Sequence, residues 1–285
     1  MNLILKIQKF YYMGKYLINS EPKNMENIKV IFIDIDGTLA NDQNTISNEN
    51  KEILKNLENS GIIPILCSGR TRNTVKLRRE EIGISSVFIC SNGAEIFDKN
   101  SEQIIYEKYI KKFIVRFVWD FCRKRNVGVM LRTTTQAYVN EYWESNNYRQ
   151  IAEIEEVFDK KIVRFKFKVE HIKIIKPLLV VLRVFGIVIT TNVLEEGNVI
   201  VGVSKRKINK GEAIKQYLKK EKISKRNTCA IGNDTNDIPM FKVVKYKVAM
   251  ENAIKKLKRK ADYITLSNND NGVSFFIKQK ICRGN

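Results

Sequence analysis

The chain has 285 residues, of which 44% are apolar and 29% charged, with a formal net charge of +20. The length allows one large domain or two modest ones, and no apolar run approaches the roughly 18 residues a membrane span needs. The charge excess would suit nucleic acid or an anionic membrane. The lysines, however, are spread along helix-like stretches such as "YLKKEKISKR" and "AIKKLKRKAD", and no aromatic-interleaved basic block occurs, so neither partner is expected.

Residues 1–24, "MNLILKIQKFYYMGKYLINSEPKN", are basic and apolar but lack a long hydrophobic centre and a small-residue cleavage site. They read as a poorly defined extension rather than a signal peptide. Either the natural start is Met25 or this segment is a loosely attached helix. Val30–Ile33 is a short continuous apolar run, as are Ile62–Cys67, Val87–Cys90, Thr228–Ile231 and Lys247–Met250. Such runs fit strands buried on both faces of a parallel sheet.

Helical patterns lie between them. In "SNENKEILKNLENSG", Ser47 can cap, Ile53, Leu54 and Leu57 form the apolar stripe, and Gly61 can end the helix. "TRNTVKLRREEIGI", "KGEAIKQYLKKE" and "DIPMFKVV" continue the alternation, which argues for an open, doubly wound α/β sheet. From about residue 99 to 198 the pattern changes to longer strand-like runs rich in β-branched and aromatic residues. This middle reads as an inserted α+β domain. Residues 25–98 and 199–285 then make the core domain. Phe113, Phe117, Trp119 and Phe121 are expected to pack inside the insertion, whereas Trp143 and Tyr148 are candidates to face substrate.

Five cysteines, Cys67, Cys90, Cys122, Cys229 and Cys282, form no CxxC pair and read as reduced thiols of a cytoplasmic protein. The single histidine, His171, leaves no Ser–His or Cys–His mechanism and makes zinc a poor fit.

Ligands bind such sheets at the carboxyl ends of the strands. Those ends deliver Asp34, Asp36, Gly37 and Thr38; Ser68, Gly69 and Arg70; Ser91, Asn92 and Gly93; and Gly232 through Asp237. Acids there are costly unless paired or metal-bound. An all-oxygen set without a His or Cys pattern suits a hard cation such as Mg²⁺. Ser68, Lys210 and loop amides could hold a phosphate. An Asp beside the metal can attack phosphorus, and a second Asp two residues on can protonate the leaving oxygen.

"DIDGTLA", "CSGR", "INKGEAI" and "IGNDTNDIPMF" resemble, in order, the four motifs of the haloacid dehalogenase (HAD) superfamily. "SNGAEIFD" and "VAMENAIKKLKRKADYIT" resemble its Cof-like subgroup, whose large α/β cap (type IIB) is inserted where the middle segment lies. The resemblance implies a Rossmann-like core with an α+β cap, and a Mg²⁺-dependent phosphatase of small phosphorylated metabolites, sugar phosphates first, working through an aspartyl-phosphate. It makes Asp34 the nucleophile and metal ligand, and Asp36 the general acid/base and backbone metal ligand. Thr38, Ser68, Gly69 and Asn236 would lie at the phosphoryl group, and Lys210 would neutralise its charge. Asp237 would lie by the metal or Lys210, and Asn92 and Arg70 would face the cap. The family's fourth motif runs Gly-Asp-x-x-Asn-Asp. Here Asn233 stands second and Asp234 third, so either could reach the metal. A phosphomutase of the same superfamily and a non-catalytic basic protein binding anions or nucleic acid are the alternatives.

Overall fold

The computed structural model describes residues 25, 27–98, 103–143, 148–195 and 198–281, with backbone only at 191–195 and 198–199. The expectations for residues 1–24 and for Cys282 fall outside the described residues. Along the chain run β1 (Val30–Ile33), α1 (Asn48–Asn59), β2 (Ile63–Cys67), α2 (Arg72–Ile82), β3 (Phe88–Cys90), β4 (Glu95–Phe97), β5 (Ile104–Glu107), α3 (Lys112–Arg123), β6 (Met130–Arg132), β7 (Ala137–Val139) and β8 (Arg149–Gln150). Then come β9 (Arg164–Lys168), α4 (Ile172–Val184), β10 (Ile187–Glu195), β11 (Asn198–Lys205), α5 (Lys210–Lys220), β12 (Thr228–Gly232), α6 (Ile238–Val243), β13 (Tyr246–Ala249), α7 (Lys255–Lys258), β14 (Tyr263–Ile264) and α8 (Gly272–Lys280). Backbone contacts divide the chain into two compact units, one taking the chain up to Pro64 and from Ser224 onward, the other Ile65–Ile223.

The unit made from the two chain ends carries four parallel strands in the order β14-β13-β12-β1. Val30, Ile31, Phe32 and Ile33 have no exposed surface, as a strand covered on both faces requires. Ser47 caps α1 by accepting the Asn50 N–H at 3.1 Å. Its buried stripe of Ile53, Leu54 and Leu57 contributes about 2 kcal/mol per side chain, and α8 packs against it.

In the second unit β2 pairs parallel with β3, and β4 and β5 extend that sheet antiparallel. β4 is a strand the apolar pattern did not announce, because three residues are too few to show a period. β5, expected within the insertion, pairs with β4. A second sheet has six strands in the order β10-β11-β9-β6-β7-β8, antiparallel except for β7–β8. On one of its faces Ile114, Val118, Trp119 and Cys122 of α3 and Ile175, Leu178 and Leu182 of α4 join Leu131, Phe165 and Phe167 in one core.

Two aromatic expectations need correction. Phe113 and Phe117 are 53% and 43% exposed, because they share an i, i+4 stripe opposite the buried Val115, Val118, Trp119 and Cys122. Trp143 is buried against Met130, Val139 and Ile200, with Tyr148 packed beside it, so it is a core residue rather than a substrate-facing one. Among the described residues no helix is long and apolar enough to cross a membrane.

Candidate active site

Asp34 closes β1. Its N–H continues the ladder to the Ile231 carbonyl at 3.1 Å, and its side chain is 3% exposed. The chain then turns tightly: the N–H groups of Thr38, Leu39 and Ala40 all donate to the Ile35 carbonyl. Gly37 sits at φ +70°, a backbone angle that favours glycine, and a Cβ there would lie 2.3 Å from Asn233 Nδ2, so any side chain would displace that amide. Asp36 is exposed, and its backbone bridges to Ala40.

The fully buried Thr38 hydroxyl lies 3.1 Å from Asp34 Oδ2 and 3.3 Å from Asn233 Oδ1. One hydroxyl proton serves two acceptors, so Thr38 couples the first acid to the fourth-motif loop. That loop is shaped by Asp237. Its buried Oδ2 accepts the N–H groups of Asn233 at 2.8 Å and Asp234 at 3.0 Å. Asp234 is exposed and turned onto its own turn, where Oδ1 accepts the Thr235 N–H at 2.6 Å. Of the two residues left open by the sequence, Asn233 therefore stands beside Asp34. Asn236 lies half-buried on the same turn.

Two further residues, not singled out in the sequence, hold the loop after β1. Asn252 Nδ2 donates to the Gly37 carbonyl at 2.8 Å, and Asn268 Nδ2 to the Ala40 carbonyl at 3.1 Å. The only signal for them is their place just after the apolar runs of β13 and β14.

Within the second unit, Ser68 comes directly after β2 and is fully buried. Its N–H donates to Ile89 O at 2.9 Å, and its Oγ accepts the Arg70 N–H at 3.0 Å. The loop after β3 clasps this turn: Ser91 N–H donates to Arg70 O at 2.8 Å and Asn92 N–H to Ser68 O at 2.9 Å. Ser91, Asn92 and Gly93 all have positive φ, at 49°, 56° and 89°. Ser91 and Asn92 each hold strain of about 1 kcal/mol there. A Cβ on Gly93 would lie 2.3 Å from Asn209 O and 3.0 Å from Lys210 N, so the loop after β3 presses directly on the start of α5. Gly69 similarly abuts the Asn92 side chain. Lys210 is the first residue of α5 and fully buried, and Asn209 caps that helix by accepting the Glu212 N–H at 2.9 Å. Ser68, Gly69, Arg70, Asn92 and Lys210 thus gather at one edge of this unit.

Among the described residues no three His, Cys, Asp or Glu side chains are gathered as a metal-holding group. Burial pushes the Cys90 thiol well above the usual range and the Cys122 thiol up to about 12.

The model of the haloacid dehalogenase-like hydrolases matches residues 31–277. The chain is 31% identical over 252 residues to the 5-amino-6-(5-phospho-D-ribitylamino)uracil phosphatase YcsE of Bacillus subtilis, covering 88% of this chain and 95% of the relative. It is 28% identical to YwtE, a phosphatase of the same name from that organism, covering 88% and 98%. A HAD phosphatase of Bacteroides thetaiotaomicron shares the fold at a TM-score of 0.76 and 23% identity, covering 92% of this chain and 98% of that one. A structure from Thermotoga maritima does so at 0.76 and 23%, covering 88% and 97%. The chain belongs to the haloacid dehalogenase-like hydrolases, in their Cof-like branch with a Rossmann-like core and an inserted cap, and is a phosphoric monoester hydrolase.

Proposed function

We propose that this protein is a Mg²⁺-dependent phosphatase acting on a primary phosphate ester of a sugar or sugar-alcohol chain. The observation that carries the reading is Thr38 joining Asp34 to Asn233 at the end of β1. The names of the two Bacillus subtilis relatives, whose substrate bears a phosphorylated ribityl chain, support the substrate class.

Asp34 attacks phosphorus, forming the Asp34 O–P bond as the ester P–O bond breaks. Asp36, exposed where Asp34 is buried, gives its proton to the leaving oxygen. It then takes a proton from the water that attacks the aspartyl-phosphate, which releases inorganic phosphate and restores Asp34. Thr38 orients the Asp34 carboxylate. Ser68, the Gly69 amide and Asn236 hold the phosphoryl oxygens, and Lys210 offsets their charge. Arg70 and Asn92 face the incoming substrate, and the inserted segment that follows β5 serves as the cap that excludes water and selects it.

The donor set fits Mg²⁺, which keeps several waters and takes only one or two carboxylates. Asp34, the Asp36 carbonyl and the Asn233 amide oxygen would hold it. Asp237 acts by shaping their loop, and Asp234 is assigned to capping that loop. When bound, the ion screens the negative charge shared by Asp34 and the phosphoryl group.

The test is phosphate release from p-nitrophenyl phosphate and a panel of sugar and polyol phosphates, with Mg²⁺ and with EDTA, alongside Asp34→Asn. Release that needs Mg²⁺, is lost in the variant and is fastest on a primary polyol phosphate is expected. Metal-independent release, or full activity in Asp34→Asn, would overturn the proposal.

A further inference from the structure

Glu95, the first residue of β4, is 4% exposed and belongs to none of the four motifs. A carboxylate buried at a strand end needs partners. Its Oε1 accepts the Thr134 hydroxyl at 3.0 Å, and its Oε2 faces Cys90 Sγ at 3.7 Å. Thr134 is itself buried, on the turn between β6 and β7. That turn is tied internally: the Thr133 hydroxyl oxygen accepts the N–H groups of Thr135 at 3.2 Å and Gln136 at 2.9 Å. The Thr134 carbonyl in turn accepts the Arg72 N–H at 3.0 Å. Arg72 opens α2, two residues past Arg70, and its guanidinium lies 4.3 Å over the Phe97 ring of the strand that Glu95 begins.

The turn Ser68–Arg72 is therefore gripped from two sides. Ser91 and Asn92 hold it at Ser68 and Arg70, and Thr134 holds it at Arg72. Glu95 stands at the root of both grips. It pairs with Cys90, the residue before Ser91, in the β3–β4 ladder, and its carboxylate fixes Thr134.

We infer that Glu95 and Thr134 are positioning residues for the phosphoryl-binding turn, acting through the Arg72 amide to keep Ser68 and the Gly69 N–H aimed at the phosphoryl group. The inference rests on the phosphatase reading above for what the turn binds, though not for how the turn is held. Removing either partner frees the Thr134 side of the turn while leaving every proposed reacting group in place.

The experiment compares Glu95→Ala, Thr134→Val, their double variant and Glu95→Gln with the unaltered protein. Three readouts are taken: hydrogen exchange at the Arg72 and Asn92 amides, orthovanadate affinity, and p-nitrophenyl phosphate turnover. Glu95→Ala and Thr134→Val are expected to speed exchange at Arg72. They should weaken vanadate binding and lower kcat, by up to about 100-fold each, the order of effect of a misplacement of about 1 Å caused from a distance. The double variant should be no worse than either single one, since both break the same hydrogen bond. Glu95→Gln, which keeps an oxygen acceptor, should restore most of the loss. Unchanged Arg72 exchange, or lowered thermal stability with vanadate affinity and kcat intact, would overturn the inference. If the unaltered protein neither binds vanadate nor turns over, the phosphatase reading fails instead, and the exchange data still decide whether Glu95 holds the turn.

Discussion

Asn233→Asp places an acid where the family's fourth motif has one, and its effect can be worked from the position of Thr38. The Thr38 hydroxyl lies 3.1 Å from Asp34 Oδ2 and 3.3 Å from Asn233 Oδ1, so the two acceptor oxygens are no more than about 6.4 Å apart. Two unit charges at that separation, at the effective dielectric of about 20 that suits partly buried sites, repel by about 2.5 kcal/mol. Without metal the variant should be less stable than the unaltered protein by about that amount. The Thr38 proton, shared between two acceptors, cannot satisfy both as carboxylates. On the proposed Mg²⁺ site the added carboxylate would attract the ion directly, and an attraction equal in size to that repulsion would tighten metal affinity by about 70-fold. Urea unfolding in EDTA and in saturating Mg²⁺ reads the first effect, and the half-saturating Mg²⁺ concentration for turnover reads the second. A variant as stable as the unaltered protein in EDTA, with less than about a threefold shift in Mg²⁺ requirement, would refute the placement of Asn233 beside Asp34.

Other outcomes turn on single contacts. Asp237→Ala removes a buried carboxylate that accepts two backbone N–H groups, and at about 1.5–3 kcal/mol each for bonds to a charged acceptor it should cost about 3–6 kcal/mol in urea unfolding. Gly93→Ala combines a positive φ with a Cβ 2.3 Å from Asn209 O and should destabilise by about 3 kcal/mol, seen as a fall in Tm. Burial lifts the Glu95 carboxyl above its ordinary value, against smaller downward pulls from Thr134, Cys90 and Arg72 and a small push from Glu107. Its ionised form therefore costs stability that sets in as pH rises from the unfolded value through the raised folded one. Glu95→Gln should then gain Tm relative to the unaltered protein at pH 8 and lose that gain at pH 4, and an equal difference at both would contradict this. Cys67, Cys90, Cys122 and Cys229 are buried, so a thiol reagent under native conditions should leave these four unlabelled and react with them only in denaturant.

The sheet and the polar residues at the carboxyl ends of its strands were readable because they depend on local signals. Val30–Ile33 is the strand expected, and Ser47 caps the helix expected of it. A continuous apolar run and a capping residue each act within a few positions. Asp34 and Ser68 stand immediately after apolar runs, and Lys210 immediately after a capping asparagine, so their places could be read from their neighbours. The choice between Asn233 and Asp234 was not readable, since it turns on a hydroxyl 195 residues away and on Asp237 folding back onto two amides. Glu95 and Asn252 were missed for the same reason. Nothing near Glu95 in sequence shows that a threonine 39 residues on will meet it. The exposure of Phe113 and Phe117 was legible in principle, because their spacing of four puts them on one stripe, but aromatic content outweighed phase.

The pairing of β1 with β12 has a consequence for how the protein is made. Val30 stands opposite Thr228, so the strand that carries Asp34 waits for about 200 further residues before its neighbour exists. At a synthesis rate of about 5–20 residues per second that is a delay of about 10–40 s. During that time an entirely apolar strand has left the ribosome with the edge that meets β12 unpaired. The contacts internal to Ile65–Ile223 can close in the meantime, since both ends of that segment emerge first. Asp34 and Asn233, the pair bridged by Thr38, are joined only when the last fifth of the chain arrives, so a nascent chain carries Asp34 long before the loop that meets it.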